Sequence, residues 1–428
     1  MLQLEPMPQH NRPQNGIAAA FGIIARFPVL IPLGLITLFA QISYSGINNV
    51  GVPQYIGVLN VPNEGRVIAT LTVAFLLAET FLRMPFGWLS DRFGRALVVA
   101  GAMLLSVPTV LLSGLIPGYQ WLYGLRAWDG MMAAALWPSV YAIVGDSIPE
   151  RVRANAMGVI NMMYMLALFI GGALGLFVFK LTGNPRAFFF FGAGLFAVGG
   201  LLALVFFRLR PNLNAPHPEA HLEEAACGVV TMARHLTLLT ITFTQTFAIT
   251  ALAPFIIRYA TDPVTAGGLG FNMAQLALLV GAPVVGVGVF ALPLSRLSDF
   301  LGKLTAVRIA FTAIAVMLWI FSRYQQLPVL ALTATIIGVS FSMGVPAWLA
   351  IISSLTGCKT RGMALAGYGT VQGIASVLGP LASGWIWDHI GHRQIFLLSA
   401  VSITVAALLA LFALPAESNR TQNGRKTV

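Results

Sequence analysis

One spacing of 208 residues links separate places in this chain, and it constrains the fold more than any other feature. Leu89-Ser90-Asp91 returns as Leu297-Ser298-Asp299, and 299 − 91 = 208. A glycine and a cation follow each aspartate: Gly94 with Arg95, and Gly302 with Lys303. The same offset joins four further pairs: Pro138 to Pro346, Arg153 to Arg361, Ala156 to Ala364 and Gly171 to Gly379. The 428 residues are about twice this spacing, so the sequence predicts two copies of one unit that run in the same direction.

The composition indicates that both copies lie in lipid. Charged residues make up 9% of the chain and hydrophobic residues 57%, whereas soluble domains carry about 25% charged residues. Apolar runs of about 20 residues, enough for a helix to cross a bilayer, recur throughout. Lipid cannot hydrogen-bond an open backbone, so we predict an all-α membrane protein with twelve transmembrane helices in two pseudo-symmetric six-helix bundles. The predicted spans are 28–58, 66–88, 95–116, 120–146, 154–181, 186–207, 234–260, 272–296, 303–322, 327–354, 361–388 and 393–414.

The distribution of positive charge predicts how the chain is oriented. With the N-terminus inside, 17 Lys and Arg residues fall in cytoplasmic segments and 6 in outer segments. The positive-inside rule then places both termini in the cytoplasm, and the net charge of +11 reflects topology rather than nucleic-acid binding. The predicted organisation is a cytoplasmic tail at 1–27, a six-helix bundle at 28–207, a cytoplasmic linker at 208–233, a second six-helix bundle at 234–414 and a cytoplasmic tail at 415–428.

The turn after the second predicted helix carries the most specific motif. It reads Gly87-Trp88-Leu89-Ser90-Asp91-Arg92-Phe93-Gly94-Arg95 and resembles G-x-L-a-D-r-x-G-r, the signature of the major facilitator superfamily. The second copy, residues 293–303, is degraded, with Ser295 in place of the first glycine. Together with the duplication and the central linker, the resemblance covers nearly the whole chain. It implies a transporter that works by alternating access, and it places Asp91 opposite the start of the eleventh helix.

The charges around this turn are expected to form a cytoplasmic gate. A carboxylate that faces a helix N-terminus gains roughly 0.3–2 kcal/mol from the helix dipole. Arg92 and Arg95 can pair with Asp146 or Glu150 after the fourth predicted helix. A basic loop that only enforces topology is the simpler alternative. The predicted gate residues are Gly87, Asp91, Arg92, Gly94, Arg95, Asp146, Glu150, Asp299, Gly302, Lys303 and Arg361.

Four charged residues fall inside predicted spans of the first bundle. Glu79 and Arg83 lie one turn apart on the second helix, and Arg126 and Asp129 lie one turn apart on the fourth. Asp129 takes the place where the family motif R-x-x-q-G commonly has a glutamine. Charges at such depth are costly and normally face a cavity or a partner. We expect Glu79 or Asp129 to take up a proton, with the arginines as counter-charges; two permanent salt bridges that join helices 2 and 4 are the alternative.

The second bundle has almost no charge inside its predicted spans, so we expect it to contact the substrate through uncharged side chains. Candidate substrate contacts from both bundles are Asn48, Asn49, Trp137, Tyr141, Gln245, Trp348, Tyr368 and Gln372. Drug antiporters of the superfamily carry g-x-x-x-G-P-x-x-G-G on the fifth helix. Here Gly172 replaces the proline and Leu176 replaces the last glycine, which leaves the direction of transport open.

These features favour a secondary active transporter of a small organic solute that is proton-coupled, with efflux of amphiphilic compounds ahead of import of a metabolite. A non-transporting receptor or assembly protein on the same scaffold is the alternative from another class. The sequence contains neither a nucleophile–base pair nor a phosphate-binding loop, and its two cysteines form no metal-binding motif, so no enzyme, cofactor or metal site is expected. Expected partners are the solute, protons and lipid, and a monomer in the bacterial inner membrane is expected.

Overall fold

The computed structural model describes residues 24–209, 232–355 and 361–414, and the regular structure in these ranges is helical. Most of the predicted N-terminal tail, nearly all of the predicted linker and the whole predicted C-terminal tail lie outside them. The side chains of Glu150, Asp299 and Arg361, three of the predicted gate residues, also lie outside the description. The all-helical fold class is confirmed.

The first lobe consists of six helices, each separated from the next by a short connection. Their bounds are α1 Leu30–Val58, α2 Glu64–Phe93, α3 Arg95–Leu115, α4 Leu122–Ser147, α5 Glu150–Thr182 and α6 Ala187–Leu209. Helix α2 packs along α4, α1 packs along α5, and α3 packs between α4 and α6. The core of this lobe contains many fully buried aromatic and branched side chains, together with buried polar residues such as Gln41, Arg126 and Asp129.

The second lobe repeats this arrangement. Its helices are α7a Met232–Leu252, α7b Ile256–Thr261, α8 Met273–Leu301, α9 Lys303–Arg323, α10 Leu327–Leu355, α11 Arg361–His389 and α12 Gln394–Leu408, which a π-helical turn extends through Leu409–Ala413. Helices α3 and α9 are both 21 residues long and begin 208 residues apart. The spacing found in the sequence therefore describes the folded lobes.

The turns that precede α3 and α9 explain why the motif repeats. Gly94 and Gly302 have φ values of +98° and +87°, a region that residues with a Cβ rarely adopt. Helix α2 continues to Phe93, beyond the predicted end at residue 88, because no residue breaks it before Gly94. Asp91 therefore lies in the last turn of α2 rather than in a loop. We call the end of the molecule that contains these two turns the motif side, and the opposite end the far side.

Two helices depart from regular α-helical geometry near the middle of the molecule. Helix α1 contains a π-helical segment, Ile47–Gly51, where the wider turn carries Asn48 and Asn49. Helix α7 is interrupted between Leu252 and Ile256, at Pro254. Proline lacks an N–H group and its ring clashes with the carbonyl one turn earlier, which accounts for the interruption.

The surface of the helices suits a lipid environment. Nine helices within the described ranges are long and apolar enough to cross a membrane. The other three helices are α4, which carries buried charges, α8 and α11. Large apolar side chains such as Phe81, Met84 and Phe412 are more than 70% exposed, which water would not favour. The chain is an integral multi-pass membrane protein.

Candidate functional site

A buried ion pair lies at the centre of the first lobe. The Arg126 guanidinium donates to the Asp129 carboxylate over 2.9 Å, and both side chains are 1% exposed. Asp129 also accepts a hydrogen bond from the Thr109 hydroxyl on α3 at 2.8 Å, and Arg126 donates to the amide oxygen of Asn48 on α1. Three helices thus meet at one charge pair, and each buried charge has at least two polar partners, as burial requires.

Aromatic side chains pack on the α1 and α2 side of this pair. The Arg126 guanidinium lies 4.8 Å from the ring centre of Phe75 on α2, a favourable cation–π distance. Tyr44 packs against Phe75 with ring centres 5.7 Å apart, and its hydroxyl is hydrogen-bonded to Ser106. Trp137 packs edge-on against Tyr44. The sequence motif identified Arg126 and Asp129, but Thr109, Phe75 and Tyr44 carry no such signal.

A second ion pair on α2 is more accessible. The Arg83 guanidinium lies 2.5 Å from the Glu79 carboxylate, with side-chain exposures of 53% and 12%. Tyr141 on α4 and Tyr164 on α5 lie near enough to interact electrostatically with Arg83. Both ion pairs join residues of the same helix, so neither links α2 to α4. The predicted alternative of salt bridges that hold these two helices together is therefore wrong in this form, and the ties between helices run from Arg126 and Asp129 to α1 and α3.

The predicted gate on the motif side is centred on Arg95. Its guanidinium donates to Asp91 at 3.2 Å, to the carbonyl oxygen of Ala142 at 2.9 Å and to the Asp146 carboxylate. Arg92 instead stacks on Trp88, 5.3 Å from the ring centre. Arg95 therefore joins the start of α3 to the end of α4 within the first lobe.

The structure also describes the predicted gate residues Gly87, Gly302 and Lys303. An added Cβ on Gly87 meets no atom within 4 Å, so Gly87 makes no close helix contact among the described residues. Gly302 forms the turn before α9, and Lys303 is exposed at the first position of that helix.

An apolar cavity of about 330 Å³ lies mainly in the second lobe. Its walls come from α7a, α7b, α8, α9, α10 and α12, with Leu168 and Gly172 of α5 and Asn49 of α1 on the side of the first lobe. Asn49 and Gln245 provide the polar side chains of an otherwise apolar lining. The side-chain oxygen of Gln245 is buried and has no hydrogen-bond partner among the described residues, so it can accept from a ligand.

The structure brings two of the eight predicted substrate contacts, Asn49 and Gln245, to this cavity. Asn48 binds Arg126 instead, and Trp137 is packed between Tyr44 and Tyr164. Trp348 is fully buried beside Phe311, which lines the cavity. Tyr368 is buried in the core of the second lobe, and Tyr141 and Gln372 are half-buried.

Polar contacts that the sequence analysis missed join the two lobes on the far side. The Asp388 carboxylate of α11 accepts hydrogen bonds from the backbone N–H groups of Gly65 and Arg66, both at 2.8 Å. Arg258 of α7b binds both carboxylate oxygens of Glu64 at 2.7 and 3.2 Å. These contacts close the far side. The chain has only 14 acidic residues, so an acidic residue at the end of a predicted span could have indicated a contact between lobes.

Further groups extend this far-side contact. The Gln54 amide donates to Thr261 at 2.9 Å across the lobes. Burial raises the pKa of Asp262 to about 6, although its partner Arg258 acts in the opposite direction and Glu64 adds to the increase. Burial also lowers the pKa of His392 to about 4, as does the nearby Arg258, while Asp388 opposes the shift. His392 stacks on Trp387, with ring centres 3.7 Å apart.

Two similar membrane-spanning lobes, with ionisable groups buried in one and an apolar cavity in the other, form the architecture of a membrane transporter. The chain belongs to the Major Facilitator Superfamily, whose family model matches residues 33–263 and 238–427. This confirms the resemblance found in the motif.

Curated relatives match across most of the chain. Multidrug resistance protein 1 of Bacillus subtilis (strain 168) is 20% identical over 349 residues, which are 81% of this chain and 87% of that protein. The proton-coupled antiporter flippase LtaA of Staphylococcus aureus (strain USA300) is 23% identical over 348 residues, which are 80% of this chain and 85% of that protein.

Solved structures share the fold. The POT family transporter PepTSo aligns with a TM-score of 0.67 at 13% identity, covering 90% of this chain and 97% of that one. The human organic anion transporter MFSD10 (TETRAN) aligns with a TM-score of 0.63 at 14% identity, covering 89% and 98%. At these identities the likeness concerns the fold alone.

Proposed function

We propose that this transporter exports a small amphiphilic solute in exchange for protons. The observation that carries the proposal is the chemical difference between the two lobes. The first lobe buries the Arg126–Asp129 pair and holds the Glu79–Arg83 pair, whereas the second lobe presents an apolar cavity. Asn48 binds Arg126, and its neighbour Asn49 lines the cavity, so two successive residues of α1 connect the two regions.

Proton uptake is assigned to Glu79 and Asp129. Each carboxylate is held by an arginine on its own helix, so a proton on the carboxylate releases the arginine from its counter-charge. Arg83 is the more exposed of the two arginines and can then bind a polar or anionic part of the solute. Asp129 is the more enclosed carboxylate, and Arg126 and Thr109 are its hydrogen-bond donors.

The apolar part of the solute is assigned to the cavity. A volume of about 330 Å³ lies at the lower end of ligand pockets, which span roughly 300–1,000 Å³. Gln245 accepts a hydrogen bond from a donor on the solute, since its oxygen has no partner among the described residues. The names of the relatives, a multidrug resistance protein and a proton-coupled antiporter flippase, support amphiphilic cargo and efflux.

The proposed orientation places the motif side in the cytoplasm. In that orientation 17 Lys and Arg residues face the cytoplasm and 6 face outward, in keeping with the positive-inside rule. The bacterial inner membrane is the proposed location, and the monomer is the proposed working unit. The linker at 208–233 and both tails are then cytoplasmic.

Flux measurements in proteoliposomes test the proposal. Ethidium and tetraphenylphosphonium serve as amphiphilic probes, and a labelled dipeptide and a labelled nucleoside serve as metabolite probes. A pH gradient should drive an amphiphile against the proton flow. Accumulation of a metabolite along the proton flow favours import instead. No flux of any probe favours the receptor or assembly alternative.

Two variants separate coupling from transport itself. Glu79→Gln and Asp129→Asn keep the shape of each side chain but cannot release a proton. Both should abolish gradient-driven flux yet retain exchange of labelled for unlabelled probe, which needs no net proton movement. Glu417→Gln, which removes a carboxylate of the predicted C-terminal tail, is the control and should remain coupled. Undiminished gradient-driven flux in both central variants contradicts the assignment of the proton site.

A further inference from the structure

Helix α2 begins without a cap of its own. The residue before it, Asn63, is in the left-handed conformation with φ of +54°, and its side chain makes no capping hydrogen bond. The first N–H groups of any helix lack partners within the helix and need an acceptor from elsewhere. Here the acceptor is Asp388, which lies in the other lobe and more than 320 residues further along the chain.

We propose that Asp388 is a positioning residue for transport, acting as an N-cap supplied by one lobe to a helix of the other. Its two carboxylate oxygens bind the Gly65 and Arg66 N–H groups when the far side is closed. When the lobes separate there, α2 loses its cap and Asp388 loses its two donors. The cap therefore stabilises the closed far side and no other arrangement of the lobes.

The helix dipoles make this contact selective. Asp388 lies in the last turn of α11, where a negative charge is disfavoured by the dipole of its own helix. It also lies at the N-terminus of α2, where a negative charge is favoured. Asp91 also lies in the last turn of its helix, at the other end of α2, but its carboxylate binds Arg95 of its own lobe. Among the described residues, Asp388 is therefore the aspartate of this helix pair whose carboxylate binds the other lobe.

The duplication provides an internal comparison. Glu64, the first residue of α2, corresponds to Asn272, because 272 − 64 = 208. Asn272 caps α8 from within its own lobe: it accepts from the Gln275 N–H group, and the Gln275 side chain accepts from the Asn272 N–H group. At equivalent places, one lobe caps its own helix and the other is capped across the interface. The cap on α2 is therefore a feature of the contact between lobes and not of the helix itself.

The backbones of α2 and α11 approach each other around the cap so closely that neither contact position has room for a Cβ. A Cβ on Gly65 would lie 2.7 Å from the carbonyl oxygen of Gly384, and a Cβ on Gly384 would lie 2.5 Å from that of Gly65. Ala69, one turn further along α2, lies against the same position. Because the backbones touch here, Asp388 can reach the first turn of α2, and a small opening removes both hydrogen bonds.

Cysteine accessibility tests the proposal in the full-length transporter. Ala69→Cys, in a background where Cys227 and Cys358 are replaced by serine, reacts with a soluble maleimide only when the far side opens. Asp388→Ala should raise its labelling rate roughly tenfold, equivalent to about 1.4 kcal/mol, the size expected for losing a charged N-cap. Asp388→Asn keeps one acceptor oxygen without the charge and should lie between the two rates.

Asn272→Ala is the matched control because it removes the cap of the equivalent helix. It should lower thermal stability and leave the labelling rate unchanged. A labelling rate within twofold of the parent in Asp388→Ala, or an equal increase in Asn272→Ala, overturns the proposal. If Asp388→Ala does not fold, Asp388→Asn decides by the same comparison. The assay uses neither a substrate nor a proton gradient, so its outcome is independent of the proposed transport cycle.

Discussion

The buried Arg126–Asp129 pair yields a prediction whose size follows from its contacts. Asp129→Ala removes the only carboxylate that the structure places against a guanidinium with 1% exposure within the described residues. Arg126 keeps its hydrogen bond to Asn48 and its contact with Phe75. Breaking a buried pair by removal of one partner costs about 3–5 kcal/mol, because an uncompensated charge remains. We expect the free energy of unfolding to fall by that amount.

Smaller changes at the same place should have graded effects. Thr109→Val removes one hydrogen bond to a charged group and should cost about 1.5–3 kcal/mol. Asp129→Asn keeps an acceptor for Arg126 and should cost less than Asp129→Ala. The double variant Arg126→Met, Asp129→Leu removes both charges and should cost less than the sum of its single variants.

Unfolding in mixed micelles, followed by tryptophan fluorescence, measures these free energies. The wild-type protein, the single variants Arg126→Met and Asp129→Leu, and the double variant form one double-mutant cycle. A coupling energy of at least about 2 kcal/mol is expected for two charges that are buried together. A loss below about 1 kcal/mol in Asp129→Ala, or additive single variants, would refute the view that the pair is a closed and water-free unit.

Three other contacts give expected outcomes of their own. Because the pKa of His392 is lowered to about 4, the unfolded chain binds a proton at this histidine between pH 6.5 and 4 that the folded one does not, so this group lowers stability as the pH falls, whereas the raised pKa of Asp262 acts in the opposite direction. The His392→Gln variant should therefore lose less melting temperature over this range than the wild-type protein. Gln245→Leu should leave thermal stability equal or higher, because it removes an unpaired buried oxygen, but should weaken amphiphile binding measured by fluorescence titration. Gly130→Ala should lower the melting temperature, since its Cβ would meet the carbonyl group of Phe75, while Gly124→Ala in open space on the same helix should not.

The positions of the helices could be predicted because the apolar runs and turn residues that determine each helix lie close together in the sequence. Apolar length indicated where nine of the membrane-crossing helices lie within the described residues, and the glycines at 94 and 302 indicated the turns before α3 and α9. The end of α2 was predicted five residues too early, because the polar residues of the motif resemble a loop although nothing among them breaks a helix. The π-helical segment at Ile47–Gly51 has no local signal, since Asn48 and Asn49 also fit a regular helix.

The candidate site could be predicted only in part. Arg126 and Asp129 stand out because charges are rare within apolar runs, whereas Thr109 and Tyr44 become polar partners only through packing. The contact between Asp388 and Gly65 joins residues 323 apart, and no spacing rule links them. The repeat predicts which positions are equivalent, but equivalent positions such as Glu64 and Asn272 differ in their contacts.

The distribution of contacts explains how such a molecule can switch without disturbing the proposed proton site. The Arg126–Asp129 pair and its ties to α1 and α3 lie wholly within the first lobe, so a rocking movement between lobes leaves them intact. The contacts that must break lie on the far side, and each is of modest strength: an N-cap or a partly exposed ion pair contributes about 1 kcal/mol. Their combined strength of a few kcal/mol is similar to the coupling of about 1–3 kcal/mol that one bound ligand supplies to a distant site. A proton or solute bound in the centre can therefore reverse the balance between closed and open forms, which a strongly bonded interface would prevent.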